Sequence, residues 1–310
     1  DLFDTELLTN KKLFAVISSN FSVTPGAEIT FEANPATFDH DKAGLMFDCG
    51  INRVSLGVQS LNDNYLKFLG RPHTSQDARS AFGLLRKVGF KNINLDLIYS
   101  LPGQAKKDME EDLTGLIDLC SEHLSLYTLS VSPGSKFHNM KVELPVADAQ
   151  GEHYLYISQL LKRKGYVHYE VSNFAKPGFE CRHNKNYWQG GNYIGLGAAA
   201  HSHLEGRRFW NIEDIQEYIR AIGEKTNAIL GEEILSEEKR FMETLLIGLR
   251  LSEGVDVSDL EERFEAKLPK DKEKTISDFI EQGLLEEEGG RLKATMTGMV
   301  VLDEICSRLI

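Results

Sequence analysis

From Glu28 to Val131 one unit recurs: a short apolar run that ends in polar residues, then an amphipathic helix. The runs are Glu28–Ala33, Arg53–Val58, Asn92–Ile98 and His123–Ser130, and the helices between them begin near Asp39, Asn62, Ser75 and Lys106. Glycines follow several of these helices, at Gly50, Gly70 and Gly89, where a helix C-terminus favours a left-handed residue. Strands that alternate with helices predict a parallel sheet with right-handed crossovers. In barrels built this way the chemistry sits at the carboxyl ends of the strands. Position alone therefore nominates Glu32 and Asn34, Gln59, Asp96 and Ser130.

The rest of the chain reads differently. A helix is expected from Thr5 to Phe21, another from Ala147 to Lys164, a strand at Tyr166–Ser172, a loop from Phe174 to Ser202 and a helix over Glu213–Leu230. A boundary is expected near Gly231. Beyond it, Glu237–Leu249, Val257–Phe264 and Lys272–Gln282 read as helices. A two-stranded wing around Gly289-Gly290 and a last helix, Thr297–Leu309, then suggest a winged helix. Three parts are expected: 1–146, 147–231 and 232–310. Winged helices often bind DNA, but 236–310 holds 11 basic and 18 acidic residues, and the whole chain carries a net charge of −12. Such a surface repels phosphate backbones, so a structural or protein-contact role is expected and no nucleic-acid partner. No apolar run approaches the ~18–20 residues that span a bilayer, so no integral membrane protein is expected. Cys49, Cys120, Cys181 and Cys306 are scattered and form neither a disulfide framework nor a metal motif. Cys49 and Cys120 are expected as small buried hydrophobes, and a reducing, cytoplasmic compartment is the default.

Several polar residues stand out. Glu32 ends an apolar run just before Asn34-Pro35, placed to accept from hydroxyl or ammonium groups, or equally to cap the next helix. Gly57 interrupts a strand, which weakens it unless something approaches the backbone. Gln59 supplies a donor and an acceptor at that strand's end, and Arg71 is either a carboxylate clamp or a solvated surface residue. Asp96 lies inside an apolar run and needs a partner or a ligand. His183-Asn184-Lys185-Asn186-Tyr187-Trp188 joins an imidazole to two aromatics, either a core-covering loop or a contact for a flat iron porphyrin. Tyr193–Ser202 is rich in Gly and Ala, open to a ligand, but is no dinucleotide fingerprint.

In this order the motifs E-A-N-P, R-V-S-L-G-V-Q-S, L-G-R-x-H, N-x-D-L-I-Y-x-L-P-G-Q, H-L-S-L-Y-x-L, Y-E-V-S-N-F-A, H-N-x-x-Y-W and G-L-G-A-A-A-H-S span about Glu28 to Ser202. Their sequence closely resembles the oxygen-independent coproporphyrinogen III oxidase-like family of the radical-SAM superfamily. The resemblance implies an α/β fold: a partial (βα)6 TIM-like barrel, its first strands missing, with a small C-terminal winged-helix-like α+β domain. It implies S-adenosylmethionine (SAM) and a [4Fe–4S] cluster as cofactors. By motif, Glu32, Gln59, Arg71, Asp96, Ser130 and His201 match positions that line the SAM region. The family's C-x-x-x-C-x-x-C loop and G-G-G-T-P segment would precede Asp1, so no cluster is expected on these residues, and the chain is expected to begin inside a domain. The first run, Glu28–Ala33, would then form an exposed sheet edge.

Within the family, H-N-x-x-Y-W marks the haem-chaperone branch. It implies haem contact by His183, Tyr187 and Trp188, with His183 the candidate iron ligand and His201 its competitor, and delivery of haem to an acceptor protein. Two alternatives stand beside this: coproporphyrinogen III oxidation by SAM radical chemistry, and a cluster-free haem-binding module. The sequence names neither the acceptor nor the oligomeric state.

Overall fold

The computed structural model describes residues 12–310. They form two compact units, the first ending at Glu180 and the second running from Cys181 to Ile310. The first unit holds six strands: β1 (Thr30–Ala33), β2 (Arg53–Gln59), β3 (Ile93–Tyr99), β4 (His123–Thr128), β5 (Val167–Glu170) and β6 (Asn173–Ala175). They make one sheet in the order β1-β2-β3-β4-β6-β5. The first four are parallel neighbours in chain order, as the repeating unit predicts. The helices follow the same logic. Asp39 and Asn62 cap the helices His40–Asp48 and Asp63–Phe68. Thr74 and Asp77 close a capping box on Ser75–Val88, satisfying donors that a helix start leaves orphaned.

Alternation along the strands sorts the residues into two faces. Val54, Leu56 and Val58, Ile93, Leu95 and Leu97, and Leu124 and Leu126 are buried against Met46, Phe82, Leu85, Met109, Leu113, Leu116, Ile157 and Leu161 of the covering helices. Each such side chain stabilises the fold by roughly 1.5–3 kcal/mol. The intervening residues, Glu32, Ser55, Asn94, Asp96, His123 and Ser125, belong to the other face. A parallel sheet with helices on one face and polar residues on the other is the wall of a partial barrel, as expected.

The second unit carries two antiparallel sheets. One is β7 (His201–Leu204), β8 (Arg207–Asn211) and β9 (Ile229–Ile234); the other is β10 (Val255–Asp256), β11 (Leu285–Glu288) and β12 (Arg291–Ala294), in the order β10-β12-β11. The helices Glu237–Gly248, Val257–Phe264 and Lys270–Glu281 precede the β11–β12 wing. This is the winged-helix pattern.

Several expectations are corrected. The strand expected over Tyr166–Ser172 stops at Glu170 and turns back as β6, which inserts between β4 and β5. The expected loop Phe174–Ser202 contains the end of β6, a helix at Arg182–Trp188 and the start of β7. The helix expected to reach Leu230 ends at Gly223, and Leu230 and Gly231 lie inside β9. The last helix breaks at Val301 into Met296–Val300 and Leu302–Leu309. Cys120 is exposed, because it is the left-handed residue (φ 56°) that follows the helix Lys106–Asp118. Cys49 is half-buried and Cys181 buried. The helix expected from Thr5 is seen as Lys12–Asn20, and its earlier part lies outside the described residues. No described helix is long and apolar enough to cross a membrane.

Candidate functional site

The polar face of β1–β4 is one connected network. Asn94 Nδ2 donates to Ser55 Oγ and to Asp96 Oδ1, both at 2.7 Å. Ser125 Oγ donates to Asn94 Oδ1 at 3.1 Å. His123 Nδ1 lies 2.6 Å from the same oxygen, and its Nε2 lies 2.8 Å from the Tyr169 hydroxyl. An amide oxygen only accepts, so His123 carries its proton on Nδ1 and accepts from Tyr169. Burial, with Arg53 adding to it, holds the imidazole well below its usual range and therefore neutral. Arg53 is itself 4% exposed, and its Nε finds no partner.

Asp96 sits in the middle of this network. Burial pushes its carboxyl up to about 6; bonds from Asn94 and Ser125 pull it down, Glu32 pushes it up and Arg53 pulls it down. Register explains the company, since Glu32 pairs with Ser55 and Asp96 with Ser125 across the parallel ladder. Asp96 thus sits one same-face step beyond the level shared by Glu32, Ser55 and Asn94, with its carboxyl raised to about 6.

Above it lies the rim. Gln59 ends β2 with a left-handed backbone (φ 68°), a strained conformation for a residue with a side chain. A Cβ on Gly57 would stand 2.8 Å from Asn34 Oδ1 and 3.0 Å from Gln59 Nε2. The glycine is needed because these two side chains close over the backbone. Asn34 Oδ1 also accepts from Arg71 Nη1 at 3.2 Å. Glu32 and Gln59 therefore lie at the carboxyl ends of β1 and β2, Arg71 reaches Asn34 from the turn after the helix Asp63–Phe68, and Asp96 lies midway along β3. Ser130 is exposed in the segment that follows β4. His201 belongs to the second unit, where its exposed ring stacks on Trp210 at 5.9 Å. Sequence reading passed over Ser55, Asn94, His123 and Ser125. The signal was present: N-I-N-L-D and H-L-S alternate polar with apolar, and the period of two puts every polar residue on one face.

H-N-K-N-Y-W forms the helix Arg182–Trp188. The His183 ring meets Tyr187 edge-on at 4.6 Å, and Tyr187 meets Tyr193 at 4.6 Å. The Arg250 guanidinium lies 5.2 Å over Trp188. Tyr187 and Trp188 line a cavity that His183 does not. The Gly-rich segment closes on itself: Gly195 N donates to Ser202 Oγ, and a Cβ on Gly195 would strike the His201 carbonyl at 2.2 Å. That glycine serves its own backbone.

Residues 3–114 match the radical SAM superfamily and residues 235–301 the HemN C-terminal domain. The solved structure of coproporphyrinogen III oxidase HemN from Escherichia coli, described as a radical SAM enzyme, superposes with a TM-score of 0.84 over 98% of this chain and 74% of that one, at 21% identity. Fold and polar wall together define a radical-SAM-type protein with a HemN-like C-terminal domain. Within that class, the chain is 34% identical over 304 residues to a protein named heme chaperone HemW in Lactococcus lactis, covering 97% of this chain and 80% of the relative. A protein of the same name in Bacillus subtilis is 32% identical over 90% of this chain and 75% of its own length. The chain belongs to the HemW family.

Proposed function

We propose that the chain is a haem chaperone on a radical-SAM fold, which binds haem on its second unit and passes it to an acceptor protein. The observation that carries this is the helix Arg182–Trp188, whose Tyr187 and Trp188 turn the family motif into the wall of a mostly apolar cavity. His183, Tyr187 and Trp188 are its haem-contacting residues in this reading.

The same reading assigns SAM to Glu32, Gln59, Arg71, Asp96, Ser130 and His201. The first four fit a polar ligand: Gly57 holds Asn34 and Gln59 over the rim, Arg71 offers a cation, and Asp96 changes charge near neutral pH. SAM together with a [4Fe–4S] cluster supplies radical chemistry. Among the described residues no group of His, Cys, Asp and Glu could hold a metal ion, so no step on this chain is assigned to the cluster. What these residues do is bind, orient and hold a proton at Asp96.

The test is a pair of titrations. Trp188→Ala is expected to weaken haem binding, read in the Soret band, at least tenfold while leaving SAM affinity unchanged, and Asp96→Asn to do the reverse. Absence of haem binding by the unaltered protein refutes the proposal. The HemN-like C-terminal domain favours a second reading, coproporphyrinogen III oxidation, which predicts anaerobic protoporphyrinogen formation once a cluster-loaded preparation is supplied with SAM.

A further inference from the structure

The cavity in the second unit has a volume of about 550 Å³, within the ~300–1,000 Å³ typical of cofactor and small-molecule pockets. Tyr187, Trp188 and Tyr193 give it flat aromatic walls, and its polar or reactive lining includes His203, Arg208, Arg240, Glu243, Thr244, Arg250 and Cys306. His203 carries an unusual feature. Its Nδ1 lies 3.3 Å from the Gly191 carbonyl oxygen, which can only accept, so the ring proton sits on Nδ1. The lone pair is left on Nε2, which is buried and has no hydrogen-bond partner. Buried polar atoms without partners are rare. An imidazole that donates one nitrogen to a backbone carbonyl and leaves the other bare has the arrangement of a metal-ligating histidine. His73 shares this pattern but belongs to the first unit, with Nε2 on the Val58 carbonyl and Nδ1 bare; of the other candidate imidazoles, His183 does not line the cavity and His201 is exposed against Trp210.

The arginines differ in the same way. Arg208 is held between Glu233 and Glu243, and Arg240 by Glu237. Arg250 pairs with Asp303, whose side chain is 91% exposed. Exposed pairs are weak and readily exchanged, so Arg250 is the cation most open to a ligand carboxylate. Cys306 is the remaining candidate ligand. Burial pushes its thiol up, which keeps it protonated, and the thiolate is the form that binds metal.

We infer that this cavity seats the tetrapyrrole, with its ring against Tyr187 and Trp188, its iron on His203 Nε2 and a propionate on Arg250. The inference rests on the proposed haem function and goes beyond it in placing the seat and the ligand.

The test titrates the full chain with haemin and, separately, with iron-free protoporphyrin IX. His203→Gly should shift the Soret band and weaken haemin at least tenfold, should leave protoporphyrin IX unchanged, and should regain the spectrum when imidazole is added. Arg250→Gln should weaken both ligands at least tenfold, and Arg250→Lys, which keeps the charge, should restore part of that loss. Wild-type titrations from His203→Gly, or loss of the Soret band in His183→Ala alone, would take the iron off His203. Unchanged binding of both ligands by both the His203 and the Arg250 variants would place the haem outside this cavity while leaving the haem function standing. Failure of the unaltered chain to bind haemin would overturn that function and the seat together.

Discussion

At the residue scale, Asp96 sets stability against its proposed role in ligand binding. Its folded value of about 6 lies above the usual 3.8, so the folded state holds its proton more tightly than the unfolded chain does. The protonated form therefore contributes stability that is fully present below pH ~4 and is lost as pH rises through about 6, a span worth roughly 3 kcal/mol. Asp96→Asn should match the wild type in thermal melts near pH 4, exceed it progressively up to pH 6, and keep a constant advantage above. Melting curves that stay parallel from pH 4 to 8 would show that Asp96 does not titrate in this window. The same substitution should weaken SAM binding. Much of this site was legible in the sequence, because a lone acid in an apolar run demands an explanation. The neutral His123 was not, because its partners come from β3 and from the β5–β6 hairpin, and strand pairing sets those distances.

At the scale of elements, the parallel strands and their helices were readable because each ends on local chemistry: caps at Asp39, Asn62 and Thr74, and glycines after the helices. The failures have equally local causes. Y-V-H-Y-E-V-S-N-F-A contains no Gly or Pro to mark its turn, and the pairing that makes β6 a strand is with β4, some fifty residues earlier. The helix Arg182–Trp188 has seven residues, too few to show a helical period. Two substitutions probe elements directly. Thr74→Ala removes the capping box of Ser75–Val88 and should cost about 1 kcal/mol in denaturant titrations without altering either ligand. Gly57→Ala places a methyl on Asn34 and Gln59, so it should disturb the Asn34–Arg71 bond and lower SAM affinity several-fold while haem binding persists. Equal loss of both ligands would mean that the strand itself had failed.

At the scale of the whole molecule, charge and sheet edges make the predictions. β1 is an edge of the six-stranded sheet among the described residues, and an edge strand offers unpaired backbone groups to another chain. Light scattering of this chain should find association that weakens when a lysine or proline is placed in Thr30–Ala33; a monomer stable to concentration would remove the edge from consideration. The winged-helix shape of the C-terminal region was legible from its helices and Gly-Gly turn, and its acidic surface predicts that it does not bind DNA. Fluorescence anisotropy with duplex DNA at low salt should show no binding.

The helix that carries His183, Tyr187 and Trp188 is short enough to have no stability of its own, since isolated helices under ~12–15 residues are marginal in water. It is held from outside: Arg263 donates to the carbonyls of Gln189 and Gly190 at its end, and Gly190 lies against Thr244 of the helix Glu237–Gly248. Its amide hydrogens therefore exchange with solvent only when that scaffold opens, so the segment belongs to the scaffold's cooperative unit. Occupancy of the aromatic wall would then be written into the exchange protection of Glu237–Gly248, a helix whose own sequence carries no trace of the motif.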